Sequence, residues 1–78
     1  MLKEYRKTAT IKAEQFDGSE EMIKKYGIGT IIDNYQHYIE TLEGDFVIHI
    51  GDWIATGVEG EHWAIDDEIF KKTYEEVE

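Results

Sequence analysis

Seventy-eight residues, 41% of them apolar, suffice for one modest hydrophobic core and one domain. Eighteen acids against eight bases give a net charge of -10, which argues against direct binding to DNA or RNA, because such binding begins by neutralising phosphates with basic side chains. The chain has no cysteine, so disulfides, thiolate zinc sites and cysteine nucleophiles are excluded, and a reducing compartment, the cytoplasm, is the expected location.

Residues 1–10 are charged rather than apolar, and no run approaches the roughly 18 apolar residues that a membrane span needs, so no export or insertion is expected. From Thr8 to Gln15 the chain alternates. Ala9, Ile11 and Ala13 share one side while Thr10, Lys12 and Glu14 share the other, the period of a half-buried strand. Asp17-Gly18-Ser19 breaks that pattern and offers Asp17 or Ser19 as a helix N-cap. A helix is expected near Ser19–Tyr26, with Glu20 and Glu21 in its first turn, Lys24 and Lys25 in its last, and Gly27 as the C-terminal glycine. Met22, Ile23 and Tyr26 form the face that docks it on a sheet.

Residues 27–34 are too short and too broken by glycine for an element and read as a connection. Tyr35–Leu42 is rich in aromatic and β-branched residues, and Glu43-Gly44 turns it into a second arm over Asp45–Ile50, giving a hairpin. In that arm Phe46, Ile48 and Ile50 point one way and Asp45, Val47 and His49 the other. Short strands follow at Trp53–Thr56 and Glu61–Ile65, separated by the Gly57–Gly60 turn. Asp66 caps a final helical turn through Lys71, and Tyr74–Val77 reads as an edge strand. The expected fold is α+β: a small antiparallel sheet of about five short strands, as a meander or partly open barrel, with an N-terminal helix and a short C-terminal helical turn. With no proline and a small core, stability of only a few kcal/mol is expected, and a homodimer is one arrangement that would add to it.

Charge is unevenly placed. Residues 1–25 hold five acids and six bases, a net of +1; residues 26–78 hold the other thirteen acids and two bases, a net of -11, which together make the total of -10. No lysine or arginine occurs between Tyr26 and Phe70. That stretch attracts a basic partner as well as keeping the chain soluble.

Catalytic and metal patterns do not stand out. His37, His49 and His62 lack the close spacing of a zinc-binding pair, and strand-face positions account for them. Asp52, between Gly51 and Trp53, reads as a turn aspartate bonded to its own backbone. Ser19, the only serine, has the context of a helix cap and not of a nucleophile elbow. The loop at Gly57-Val58-Glu59-Gly60-Glu61 lacks the basic residue of a phosphate loop. No cofactor and no enzymatic activity are expected. Trp53 and Trp63, with Tyr35 and Tyr38, would bury area in the core or else line a groove that stacks on a ligand.

The C-terminal half carries a longer pattern: Thr41-Leu42-Glu43-Gly44, Gly51-Asp52-Trp53-Ile54, Gly57-Val58 with Gly60-Glu61, then Ile69-Phe70 and Thr73-Tyr74-Glu75. Together with Arg6-Lys7 and Ala13-Glu14-Gln15-Phe16, it resembles a family of short proteins encoded by bacteriophages and prophages, largely of unknown function. The chain departs from that family where Thr8 replaces a proline, where Ala64-Ile65-Asp66 replaces Cys-Lys-Pro, and in a shortened middle segment. The resemblance implies a phage or prophage origin, a compact sheet-plus-helix fold and no catalytic residues.

The leading expectation is a non-enzymatic protein that binds a host or phage protein with a basic surface. Its contact residues would be Glu40, Glu43, Asp45, Glu59, Glu61, Asp66, Asp67 and Glu68. One version is a nucleic-acid mimic that occupies the basic groove of a defence nuclease, as an anti-CRISPR inhibitor would. The alternatives are a small-ligand or nucleotide-signal binder using Trp53 or Trp63, with Lys24, Lys25 or Arg6-Lys7 supplying positive charge, and a minor virion component.

Overall fold

The chain runs β1 (Lys12–Gln15), α1 (Glu20–Tyr26), β2 (Gly29–Ile31), β3 (Gln36–Thr41), β4 (Gly44–Ile48), β5 (Trp53–Thr56), β6 (His62–Ile65) and α2 (Asp67–Thr73) in a computed structural model that describes residues 1–6 and 8–77. The fold is α+β with antiparallel pairing, but the strands divide into two three-stranded sheets, β1-β5-β6 and β2-β3-β4. Position along the chain explains the division. β2, β3 and β4 close on one another through short turns, whereas β1 is followed by a helix and waits for β5 as its partner, Lys12 opposite Thr56 and Gln15 opposite Trp53. The Phe16 amide donates to the Asp52 carbonyl at 2.8 Å and the Gly51 amide to the Phe16 carbonyl at 2.9 Å, continuing that ladder past the strand ends.

Helix α1 forms where its caps dictate. The Ser19 hydroxyl accepts from the Met22 amide at 3.3 Å, and Asp17 accepts from the Ser19 amide at 2.8 Å. Gly27 closes the helix at φ 63, in the left-handed region that a side chain disfavours, and donates to the Ile23 carbonyl. Residues 29–31, read from sequence as connection, form β2, with Gly29 opposite Tyr38. The Tyr38 ring lies across Gly29 so closely that a Cβ there would stand 2.0 Å from it; the glycine that weakened the sequence signal is what lets the ring lie flat.

One core joins the two sheets and α1. Phe16, Met22, Ile28, Ile39, Ile48 and Ile54 are buried together, with Ile23, Tyr26 and Ala64 packed against them. The register puts Glu14, Ile54 and Ala64 on the core-facing side of β1-β5-β6, and Ala13, Ala55 and Trp63 on the other. Ala55 is nevertheless fully buried. On its side of the sheet Trp53 stacks on Phe70 of α2 at 4.2 Å between ring centroids, and Tyr74 stacks on Phe70 at 5.3 Å. The central strand β5 is therefore covered on both faces, whereas β1, at the edge of that sheet, stays half-buried as its alternation predicts.

Four expectations are corrected. The first strand begins at Lys12 instead of Thr8 because its partner β5 ends at Thr56, where Gly57 turns the chain away. Ile50 does not continue the row of Phe46 and Ile48: the Asp52 carboxylate accepts from the His49 amide at 2.9 Å and turns the chain after Ile48, leaving Ile50 67% exposed. The last helical turn extends to Thr73. Residues 74–77 form no strand; the Tyr74 amide donates to the Phe70 carbonyl at 3.0 Å and its ring packs on the helix instead of presenting an edge.

Candidate protein-binding groove

The feature that combines apolar surface with acidic charge lies between β4 and β6. Strand β3 runs against β6, and a groove of about 530 Å³ is lined by the end of the β3–β4 hairpin on one side and β6 on the other. The hairpin turn sets one lip. The Thr41 hydroxyl donates to the Gly44 carbonyl at 2.8 Å and accepts from the Glu43 amide at 3.1 Å, which holds Leu42 and Glu43 at the tip. Leu42 is 82% exposed, and Phe46 and Val47, next along that wall, are 50% and 44% exposed. Strand β6 supplies the facing wall with His62, Trp63 and Ala64; Glu61 and Asp66 stand at its two ends.

Among the described residues the lining carries four carboxylates, Glu43, Asp52, Glu61 and Asp66, and no lysine or arginine. Glu40 and Glu61 line an adjoining recess beside Tyr26 and Gly27. Asp45 sits directly opposite Glu40 across β3 and β4, and both are exposed, a like-charge pairing that costs stability. Six of the eight nominated carboxylates thus divide as follows: Glu40, Glu43, Asp45 and Glu61 gather around the hairpin end, Asp66 stands at the other end of the groove, and Glu59 lies exposed in the β5–β6 turn.

The remaining two do not belong with them. Asp67 accepts from the Trp53 indole at 2.8 Å and the Gln15 amide at 3.4 Å and pairs with Lys71 at 3.0 Å; the indole hydrogen bond first, and Lys71 second, hold its carboxyl below the ordinary value. It is a fastener between β5 and α2. Glu68 lies exposed in the first turn of α2, where the helix N-terminus favours an acid. Asp66 has a second task as well, since it accepts from the Glu68 and Ile69 amides as the α2 cap. Among the described residues the other lysine–carboxylate pair is Lys25–Glu14 at 2.9 Å, and the His49 ring lies 3.6 Å from the Asp52 carboxylate. Lys25 and Lys71 therefore neutralise acids outside the groove and leave its rim negative.

The aromatic residues do not share one cradle. Trp63 lines the acidic groove. Trp53 lines a second groove of about 540 Å³ with Ile11, Phe70 and Tyr74, with one face covered by Phe70 and its N–H committed to Asp67. Tyr38 covers Gly29 and Tyr35 is exposed in the β2–β3 turn at φ 55. The stacking site imagined from Trp53, Trp63, Tyr35 and Tyr38 is therefore not assembled. Of the basic groups named for a nucleotide pocket, Lys25 is bound to Glu14, and Lys7 lies outside the described residues.

The histidines keep separate neighbours. His37 shares a hydrogen bond with Thr30 at 3.0 Å, His62 with Thr56 at 2.9 Å, and His49 stands beside Asp52. Among the described residues no group of three or more His, Asp or Glu side chains is arranged to hold a metal ion, and no helix is long and apolar enough to cross a membrane. Leu42, Phe46 and Val47 were missed as site residues by sequence reasoning. Their signal was present: an apolar residue at a hairpin tip, and two apolar residues in succession on a strand, of which only one can face the core. No family model, no curated protein and no solved structure matches the chain.

Proposed function

We propose that this chain is a non-enzymatic binding module that takes a basic, apolar-bearing segment of another protein into the groove between β4 and β6. The observation that carries this reading is the coincidence of exposed Leu42, Phe46 and Val47 with Glu43, Glu61 and Asp66 in one groove that, among the described residues, holds no lysine or arginine. Exposed apolar side chains ringed by charge mark protein contact. The acidic rim selects basic partners and speeds their encounter. In the setting that the phage resemblance implies, the partner is a host or phage protein in the bacterial cytoplasm. An inhibitor of a nucleic-acid-binding defence protein is one such case. The apolar wall adds a requirement that phosphate mimicry alone does not have, namely a hydrophobic anchor beside the partner's lysines and arginines.

The test is affinity capture from bacterial lysate with the wild type, with Phe46→Ser, with Glu43→Lys/Glu61→Lys, and with Glu20→Lys/Glu21→Lys on α1 as a charge-matched control. A protein retained by the wild type and the control, lost with both groove variants and released by salt, is the expected result. A captured set that is the same for all four baits refutes the groove. Thermal stabilisation by a member of a nucleotide panel, with no groove-dependent capture, would replace this reading by the small-ligand one.

A further inference from the structure

We infer that the groove has an occupant within the protein itself: the N-terminal arm, residues 1–6, of a second copy. This rests on the groove being a protein-binding site, as argued above, and names a partner for it. Met1, Leu2 and Tyr5 are 108%, 100% and 90% exposed, so the arm makes almost no contact with the body of its own chain. Three large side chains of this kind held out in water are costly without a destination.

The arm's chemistry is the complement of the groove. Residues 1–6 hold two bases and one acid, in a chain whose residues 26–78 carry the whole negative excess. Their order matters as well as their number. A three-residue period, that of the polyproline II conformation favoured by unpaired chains, puts Leu2 and Tyr5 on one edge and Lys3 and Arg6 on the adjacent edge. Leu2 and Tyr5 then meet Leu42 and Phe46 while Lys3 and Arg6 meet Glu43 and Glu61. Two copies at -10 repel at long range, but at physiological salt the screening length is about 8 Å, so contacts at the groove outweigh the distant charge.

Sedimentation velocity at physiological salt tests this, over protein concentrations from roughly micromolar to millimolar, the range in which a short-segment contact is expected to act. The wild type should gain mass with concentration. Lys3→Glu/Arg6→Glu, which alters only exposed side chains, should stay monomeric, as should Glu43→Lys/Glu61→Lys with an unchanged circular dichroism spectrum. Placing all four substitutions in one chain reverses both members of each pair and should restore association, a result that misfolding does not produce; a general charge effect is separated by the groove variant, whose less negative net charge would by itself favour association. A wild type that is monomeric throughout, or association that survives the arm substitutions, overturns the inference. Arm NMR signals that move in the groove variant while the mass stays monomeric also overturn it, since the groove would then hold the chain's own arm. None of these failures touches groove-dependent capture of a lysate protein, which is read separately.

Discussion

Replacing Tyr26 by Phe removes one hydroxyl and keeps the ring edge against His62, at 5.2 Å and 90°. That hydroxyl donates to Glu14 at 2.5 Å, tying α1 to β1. A hydrogen bond to a charged group contributes about 1.5–3 kcal/mol. Here the Glu14 side chain is 45% exposed and Lys25 still holds it at 2.9 Å, so solvent screening reduces the expected loss to about 1 kcal/mol. For a domain of this size that corresponds to a fall in Tm of about 4–8 °C. The pH dependence identifies the bond. The Tyr26 hydroxyl and then Lys25 lower the Glu14 carboxyl below its ordinary 4.5, so the contribution is present above pH 4.5 and is lost as pH falls through the folded value. Burial, then the bond to Glu14, raises Tyr26 above its ordinary 10.0, so on that side the contribution is full below pH 10.0 and is lost as pH rises through the folded value. Urea unfolding of both proteins at neutral pH and near pH 3 should show a midpoint gap that narrows in acid. An equal gap at both pH values would place the effect in ring packing and refute the reasoning.

Two further substitutions probe the fold. Ile54→Ala, at a fully buried position where both sheets meet, should cost about 2–5 kcal/mol in urea unfolding, a large share of the roughly 4–12 kcal/mol that 78 residues support; Ile50→Ala, in the exposed turn, should fall within about 0.5 kcal/mol. Gly27→Ala meets no atom within 4 Å, so its cost is backbone strain alone, about 1–2 kcal/mol at φ 63, and Gly27→Asn should recover part of it.

Sequence was most informative where a local rule decides the structure. The caps of α1 at Ser19 and Gly27, the cap of α2 at Asp66, strand β5 and the turn set by Asp52 all follow from short-range chemistry. It was least informative where the deciding partner is distant. β2 has three residues and one of them is a glycine, so nothing local marks it; Tyr38, arriving across the ladder, gives it its cover. The division into two sheets depends on β1 choosing β5, about forty residues away in the register that joins Gln15 to Trp53. The site was legible as charge and not as shape. Glu43, Glu61 and Asp66 do flank one groove, while Asp67, identical to them in composition terms, is withdrawn by an indole that periodicity does not place beside it.

That withdrawn carboxylate makes Trp53 a natural optical gauge. Its ring is covered by Phe70 and its N–H is held by Asp67, both from α2, so detaching the C-terminal helix would hydrate the indole and shift its fluorescence to the red before the isoleucine core need open. Trp63, on a different wall, would report events in the acidic groove. Single-tryptophan variants therefore separate local release of α2 from ligand docking and from global unfolding, without any attached dye.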